Sequence, residues 1–145
     1  MVFKINIGEK SGKTYKFETE SESLIDKELH DKIDGKDLKE DLEGYEFEIT
    51  GASDKSGFTA LKSVPGVGLK KVLLGYGKGM HKKPRKEGKK KLSNSNPRGL
   101  RLRKTVRGKV ISPEISQINL KIIKEGKKSL KDIFEPKTEE PAETQ

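Results

Sequence analysis

"RLRKTVRGKVISPEISQINLKIIK", residues 101–124, contains the clearest strand signal in the chain. Ile118, Leu120 and Ile122 occupy every second position near its carboxyl end and alternate with polar residues. This period of two is typical of a β-strand with one buried face. The amino-terminal half alternates too, through Leu102, Val106, Val110 and Ile111. The stretch therefore favours a β-rich fold.

The amino terminus predicts a β-hairpin. "VFKINI" places Phe3, Ile5 and Ile7 on one face of a strand, and "TYKFET" does the same with Tyr15 and Phe17. The intervening "GEKSGK" is rich in turn-forming residues. Two half-buried strands joined by a short turn are the simplest interpretation.

Two further strands are expected in the middle of the chain. "GYEFEITG" carries Tyr45, Phe47 and Ile49 on one side, with a glycine closing each end. "KKVLLGYG", residues 70–77, has the continuous apolar character of a buried strand that enters the basic region.

Helical signals are short. "SLIDKELHDKI" places four apolar residues at helical spacing behind Ser23, a possible cap, and ahead of Gly35, which predicts a short helix or turn. "SLKDIF" predicts one helical turn with Ser129 and Asp132 as a capping pair.

Together these signals predict a mainly β fold, either a small β-barrel or a strongly twisted sheet, with one or two short helices and a long basic loop. Since only 30% of the residues are hydrophobic, part of the chain lies outside any core. We expect a β-rich body over residues 1–127, interrupted by the basic loop at about 78–101. Residues 128–145 should form a short helix and an acidic, disordered tail.

The positive charge is concentrated in one segment. Residues 70–109 contain sixteen of the chain's 32 Lys and Arg and a single acid, Glu87, whereas the remainder has 22 of the 23 acids. "HKKPRKEGKKK", residues 81–91, is the densest part. Lys and Arg are seldom buried without partners, so this segment must face water or an anion. Such a field attracts polyanions.

Several chemical functions are disfavoured. "GEKSGKT" is one residue short of a phosphate-binding P-loop, and a strand pattern follows it where a helix is required. "HDKIDGKDLKED" has His30 and Lys32 where a calcium loop needs oxygen ligands. The chain has no Cys and two His, with no pairing that suggests catalysis, so we expect no enzyme, cofactor or metal. No apolar run is long enough to span a membrane, and we expect a cytoplasmic protein.

Three stretches resemble the small-subunit ribosomal protein six family of archaea and eukaryotes, which is distinct from the bacterial protein of that number. They are "GYEFEITGASDKSGF", "LLGYGKG" and, above all, the quoted residues 101–124. The resemblance implies a structural constituent of the small ribosomal subunit. It also implies partners: small-subunit ribosomal RNA and neighbouring ribosomal proteins, with the protein a monomer within the ribosome and no small-molecule substrate.

The basic segment supplies the predicted RNA contacts. Because residues 78–109 contain no aromatic side chain, we expect phosphate neutralisation there rather than base stacking. By the family pattern Arg103, Lys104 and Arg107 are RNA contacts. The other predicted contacts are Lys70, Lys71, Lys78, Lys82, Lys83, Arg85, Lys86, Lys89, Lys90, Lys91, Arg98, Arg101 and Lys109.

Two other functional classes stay open at this point. Charge alone allows a non-ribosomal basic protein that binds DNA or RNA, although for DNA binding the sequence has no helix-turn-helix, zinc pattern or dimer zipper. The acidic stretch "ELHDKIDGKDLKEDLE" allows a metal-dependent nuclease, but a solvated acidic face explains it more simply.

Overall fold

A computed structural model describes residues 2–82, 88, 94 and 96–134. Among these residues it contains seven β-strands and one short α-helix, which confirms the predicted mainly β class. The strands are β1 (Phe3–Gly8), β2 (Thr14–Thr19), β3 (Lys32–Asp34), β4 (Glu46–Asp54), β5 (Leu69–Leu74), β6 (Leu102–Arg107) and β7 (Ile115–Lys124), and the helix is α1 (Leu130–Phe134). Single 3₁₀ turns occupy Glu22–Leu24, Gly35–Asp37 and Glu40–Leu42.

Five strands form a mixed sheet in the order β2-β1-β7-β4-β3, and β5 and β6 pair separately as a two-stranded ribbon. The parallel pair is β1 with β7, where Ile5 lies opposite Ile118; the other pairs are antiparallel. In the described part of the chain β2 and β3 are the two edges of the sheet, which is therefore open. Of the two predicted forms, the sheet is observed and the closed barrel is not.

The alternating residues form the core. The apolar positions of β1, β4 and β7 are buried on one face of the sheet, while the intervening polar positions face outward, as the period of two predicts. The large apolar members are Phe3, Ile5, Ile7, Phe47, Ile49, Ile115, Ile118, Leu120 and Ile122. The 3₁₀ turns add Leu24 and Leu42, both fully buried, to the same cluster.

The amino-terminal hairpin is confirmed. β1 and β2 pair antiparallel, with Ile7 opposite Tyr15. The turn between them closes through the Glu9 amide, which donates to the Lys13 carbonyl at 2.9 Å. Gly12 lies in this turn at φ +91°, a left-handed conformation that favours glycine. Because a strand follows, the segment lacks the helix that a P-loop requires.

The segment predicted as a short helix or turn contains a turn and the start of a strand. One 3₁₀ turn covers Glu22–Leu24, and the chain then enters β3, so Ile33 is buried from a strand rather than from a helix. The predicted cap Ser23 lies inside the 3₁₀ turn, whose N-cap residue is Ser21. Gly35 begins the next turn instead of ending a helix.

Three other predictions have clear outcomes. β4 continues through Gly51 to Asp54, so the second glycine does not end it. The prediction that β5 is buried is wrong, because the ribbon packs through one face and leaves Leu73 53% exposed. The capping pair of α1 is confirmed: the Asp132 amide donates to Ser129 Oγ at 3.3 Å, and the Ser129 hydroxyl donates to Asp132 Oδ2 at 2.9 Å.

The boundaries predicted for the basic loop and the carboxyl tail fall partly outside the described residues. Residues 135–145, which contain the acidic tail, are outside them, as are most of residues 83–95. No helix in the described ranges is both long enough and apolar enough to cross a membrane.

Candidate functional site

The ribbon of β5 and β6 carries the first group of predicted cations. Its register places Lys70 opposite Val106 and Leu73 opposite Arg103. Because residues directly opposite share a face, the ribbon has two distinct sides. The inner side uses Val72, Leu74 and Val106 to pack on a small apolar cluster with Leu61 and Val64. The outer side exposes Lys71, Leu73 and Arg103.

A tight backbone contact joins the ribbon to the preceding loop. The Gly108 amide donates to the Gly68 carbonyl at 3.1 Å, and the Lys109 amide donates to the Val64 carbonyl at 2.9 Å. A Cβ on Gly108 would lie 1.8 Å from the carbonyl oxygen of Gly66, so only glycine fits there without movement of the backbone. The base of the ribbon is therefore fixed by main-chain contacts.

The structure separates the sixteen predicted RNA-binding cations into four groups. Lys83, Arg85, Lys86, Lys89, Lys90 and Lys91 lie outside the described residues. Seven are exposed, and none of these forms an ion pair with a described carboxylate: Lys70, Lys71, Lys78, Arg98, Arg101, Arg103 and Lys104. Lys82 and Lys109 are half-buried, and Arg107 is buried.

Arg107 is held inside the protein. Arg107 as a whole is 7% exposed, and its Nε donates to Asp54 Oδ2 at 3.1 Å. Its Nη1 donates to a carboxylate oxygen of Glu114 and to the Val67 carbonyl, the latter at 3.3 Å. The Asp54 carboxylate also accepts a hydrogen bond at Oδ1 from the Phe58 amide, at 2.8 Å. The guanidinium thus joins the end of β4 to the base of the ribbon and is positioned as a structural residue.

Two other predicted cations also contact the body. Lys109 Nζ donates to Glu28 Oε2 at 2.5 Å, in a pair whose side chains are 31% and 44% exposed. Lys78 Nζ donates to the Thr50 carbonyl at 2.8 Å and lies over Gly51, where the missing side chain leaves room for it. Lys78 therefore anchors the start of the basic arm, residues 78–101, to the outer face of the sheet.

The connection from β5 into the arm is a compact turn. The amide of Gly77 donates to the Met80 carbonyl and the amide of Met80 donates to the Gly77 carbonyl, both at 3.0 Å. Met80 is fully buried. Gly77 and Gly79 have φ of +150° and +82°. Tyr76, directly before this turn, is 48% exposed, and its ring meets the His81 ring edge-on at 5.2 Å with an interplanar angle of 89°. The arm thus leaves the body through an ordered segment.

Three groups in β4 and the turns before it, on Asp41, Tyr45 and Glu48, have a pKa that departs from its ordinary value. The His30 Nδ1 contact with Glu48 Oε1, at 2.8 Å, lowers the pKa of the Glu48 carboxyl. A hydrogen bond from Lys39 lowers the pKa of Asp41 in the same way. Burial raises the pKa of the Tyr45 hydroxyl, which donates to the Lys128 carbonyl. The described residues contain no group of three or more His, Asp or Glu side chains that could hold a metal ion.

Sequence reasoning missed three residues of this region. Asp54 is the single acid between residues 49 and 86, but an acid beside Lys55 and ahead of Gly57 is typical of an exposed turn, so the local pattern does not mark it as buried. Met80 is an isolated apolar residue in a cationic stretch, without the period that identifies core positions. Tyr76 lies just before the cationic stretch that contains no aromatic side chain, and its two flanking glycines are a sequence signal of an exposed turn.

The fold and the charge distribution define a class of protein: a small β protein whose ribbon, together with the described part of the arm, presents exposed cations that pair with no described carboxylate, a surface suited to a polyanion. The model of the family described as ribosomal protein S6e matches residues 3–135. The chain belongs to the ribosomal protein S6e family.

Curated relatives have closely similar lengths. The chain is 40% identical to the small ribosomal subunit protein eS6 of Methanococcus maripaludis strain C6, over 87% of this chain and 90% of that protein. It is 37% identical to the protein of that name from Archaeoglobus fulgidus, over 96% and 100% of the two chains. For the Methanothermobacter thermautotrophicus protein the identity is 38%, over 92% and 96%. The resemblance inferred from the sequence is confirmed.

Proposed function

We propose that this protein is a structural constituent of the small ribosomal subunit and binds folded ribosomal RNA by neutralising its phosphates. The observation that carries the proposal is the group of seven exposed cations on the ribbon and the described part of the arm, none paired with a described carboxylate. Family membership supports the ribosomal setting, since the matched relatives are named small ribosomal subunit proteins. The proposed site of action is the cytoplasmic ribosome, where the protein is a monomer among other ribosomal proteins.

The ribbon and the arm have different tasks in this proposal. Arg103 and Lys104 project from a strand whose register is fixed, so they bind phosphates at set positions and Arg103 can do so in a bidentate manner. The arm cations add charge along the backbone of the RNA. Arg107 stays a predicted RNA contact, and its described donors, which are directed at Asp54, Glu114 and Val67, support a structural task as well. We assign Arg107 to positioning the ribbon.

No catalytic step is part of the proposal. An RNA-binding structural protein requires neither a cofactor nor a small-molecule substrate, and charged side chains on a fixed scaffold account for the binding. The alternative, a basic protein that binds DNA, uses the same phosphate chemistry and is separated from the first only by a direct comparison of the two nucleic acids.

Salt dependence tests the mechanism. If roughly six to ten cations contact phosphates, affinity for a folded ribosomal RNA fragment should fall by about 10³ to 10⁵ between 50 and 200 mM salt. Arg103→Ala and Lys104→Ala should each lower the affinity and reduce the salt slope by about one. Lys36→Ala, an exposed lysine in the acidic part of the chain, is the matched control and should leave both unchanged.

Two outcomes would overturn the proposal. One is equal affinity for duplex DNA and the ribosomal RNA fragment at matched salt, which would favour the DNA-binding alternative. The other is sedimentation of the endogenous protein away from small subunits on a sucrose gradient at low salt.

A further inference from the structure

Tyr76 is an aromatic side chain presented to solvent at the point where the ribbon becomes the arm. It is 48% exposed, whereas Tyr15 and Tyr45 are 7% and 4% exposed. Its neighbours Gly75 and Gly77 have open space where a Cβ would be, so no side chain from either position would obstruct a flat group approaching the ring. An exposed aromatic ring between two glycines is accessible to a planar ligand.

The ring is held in place rather than free. Met80 is fully buried and exchanges two hydrogen bonds with Gly77, which fixes the turn that follows Tyr76. His81 then contacts the Tyr76 ring at 89°. A perpendicular contact covers at most one ring face, so at least one face of Tyr76 is left uncovered by His81. Preorganisation of this kind reduces the entropy cost of binding.

Cations flank Tyr76 in the chain and at the end of the ribbon. β5 ends at Leu74, opposite Leu102, so the exposed Arg101 and Arg103 lie at the same end of the ribbon from which Tyr76 emerges two residues later. Lys78 follows Tyr76 by two residues, and its ammonium group is fixed on the Thr50 carbonyl. A base that stacked on Tyr76 would therefore have its flanking phosphates at the cationic end of the ribbon.

We propose that Tyr76 is a stacking site for an unpaired RNA base, with the cations at the end of the ribbon binding the phosphates on either side. This inference rests on the proposed RNA-binding function and adds a base-contacting residue to it. The occupant is a nucleobase in a bulge, loop or strand end, because the faces of paired bases within a helix are already covered by stacking. The contact tolerates any base, since every base has an aromatic face.

Stacking and phosphate neutralisation respond differently to salt, which separates the two contributions. Loss of a phosphate contact reduces the salt slope, whereas loss of a stacking contact lowers affinity by the same factor at every salt concentration. The probe is an RNA hairpin with one bulged 2-aminopurine, compared with the same hairpin without the bulge. The full-length protein is titrated with each between 50 and 200 mM salt.

We expect Tyr76→Leu to weaken binding of the bulged hairpin by about 5- to 150-fold at all salt concentrations, without changing the slope. Tyr76→Phe keeps the aromatic face and should bind as the unaltered protein does. The 2-aminopurine fluorescence should be quenched by the unaltered protein and by Tyr76→Phe, and not by Tyr76→Leu. Since Tyr76 is half-exposed, all three proteins should share one thermal transition.

Two failures are distinguishable. If the unaltered protein binds both hairpins with the full salt slope, with no quenching and no effect of Tyr76→Leu, the stacking site is refuted and phosphate binding is left standing. If neither hairpin binds in a salt-dependent manner, the proposed RNA-binding function is refuted as well.

Discussion

Arg107 offers the sharpest test of how this fold is held together. Its side chain is 8% exposed and that of its partner Asp54 is 3% exposed. Replacing Arg107 with Met keeps much of the aliphatic volume but leaves the Asp54 carboxylate buried with the Phe58 amide as its remaining described donor. Breaking a buried ion pair from one side costs about 3–5 kcal/mol, because a charge stays buried without compensation. We expect the free energy of unfolding to fall by that amount.

The assay is urea unfolding followed by circular dichroism, together with a thermal melt. A loss of about 3–5 kcal/mol corresponds to a decrease of roughly 10–20 °C in Tm for a chain of this size. Arg103→Met is the matched control: it removes the same residue type from the same strand, but from an exposed position, and should change stability by less than about 0.5 kcal/mol.

A double-mutant cycle identifies the cause. Asp54→Asn removes the buried charge and keeps an acceptor for the Phe58 amide. In the background of Asp54→Asn, the cost of Arg107→Met should be smaller by about 1–3 kcal/mol, because the unpaired charge is gone. If Arg107→Met costs no more than Arg103→Met, or if the two changes at Arg107 and Asp54 are simply additive, the ion pair does not stabilise the fold and the structural assignment of Arg107 is wrong.

Three further perturbations have defined outcomes. Gly108→Ala should lower the free energy of unfolding by about 3 kcal/mol because its Cβ would overlap a backbone oxygen, whereas Gly68→Ala, which has open space, should be nearly neutral; equal urea midpoints would contradict this. Met80→Ala should cost about 2–5 kcal/mol in the same assay, and a neutral result would show that the root of the arm is not part of the core. The pKa of Glu48 should lie below 4.5 in a carbon NMR titration and should return toward 4.5 in His30→Gly. Because the pKa of Glu48 is lowered in the folded protein, the stability that Glu48 contributes is present above its unfolded pKa. That stability decreases as the pH falls through the folded pKa. An unchanged Glu48 pKa in that variant would exclude His30 as the cause.

Local patterns identified four of the five strands of the main sheet, β1, β2, β4 and β7, because one face of each is buried against a single core, whereas the three-residue β3 was not predicted as a strand. The alternation through Ile118, Leu120 and Ile122 predicted β7 correctly, and the same signal predicted β1. For β5 the apolar run was misleading: its partner layer is a cluster of few residues, so Leu69 and Leu73 stay exposed. A run of apolar residues does not reveal how large a layer is available to cover it.

The candidate site was predicted as a segment but not residue by residue. Net charge identified the cationic region, since seven of its members are exposed in the structure. Arg107, like Arg103, follows an apolar residue in β6, and its different environment comes from Asp54, 53 residues away. Contacts over such a separation depend on the assembled topology and have no local signature.

The parallel pairing of β1 with β7 fixes the order in which the chain can complete its sheet during synthesis. Asn6 and Asn119 are hydrogen-bonded neighbours in the finished sheet although 113 residues separate them. At about 5–20 residues per second, the hairpin of β1 and β2 waits roughly 6–20 s for its partner strand to be made. Throughout that interval the backbone edge of β1, at Ile5 and Ile7, lacks the strand that pairs with it. A nascent chain stalled before residue 115 would therefore expose two unfinished sheet edges, and it should be recognised by chaperones that bind apolar strands.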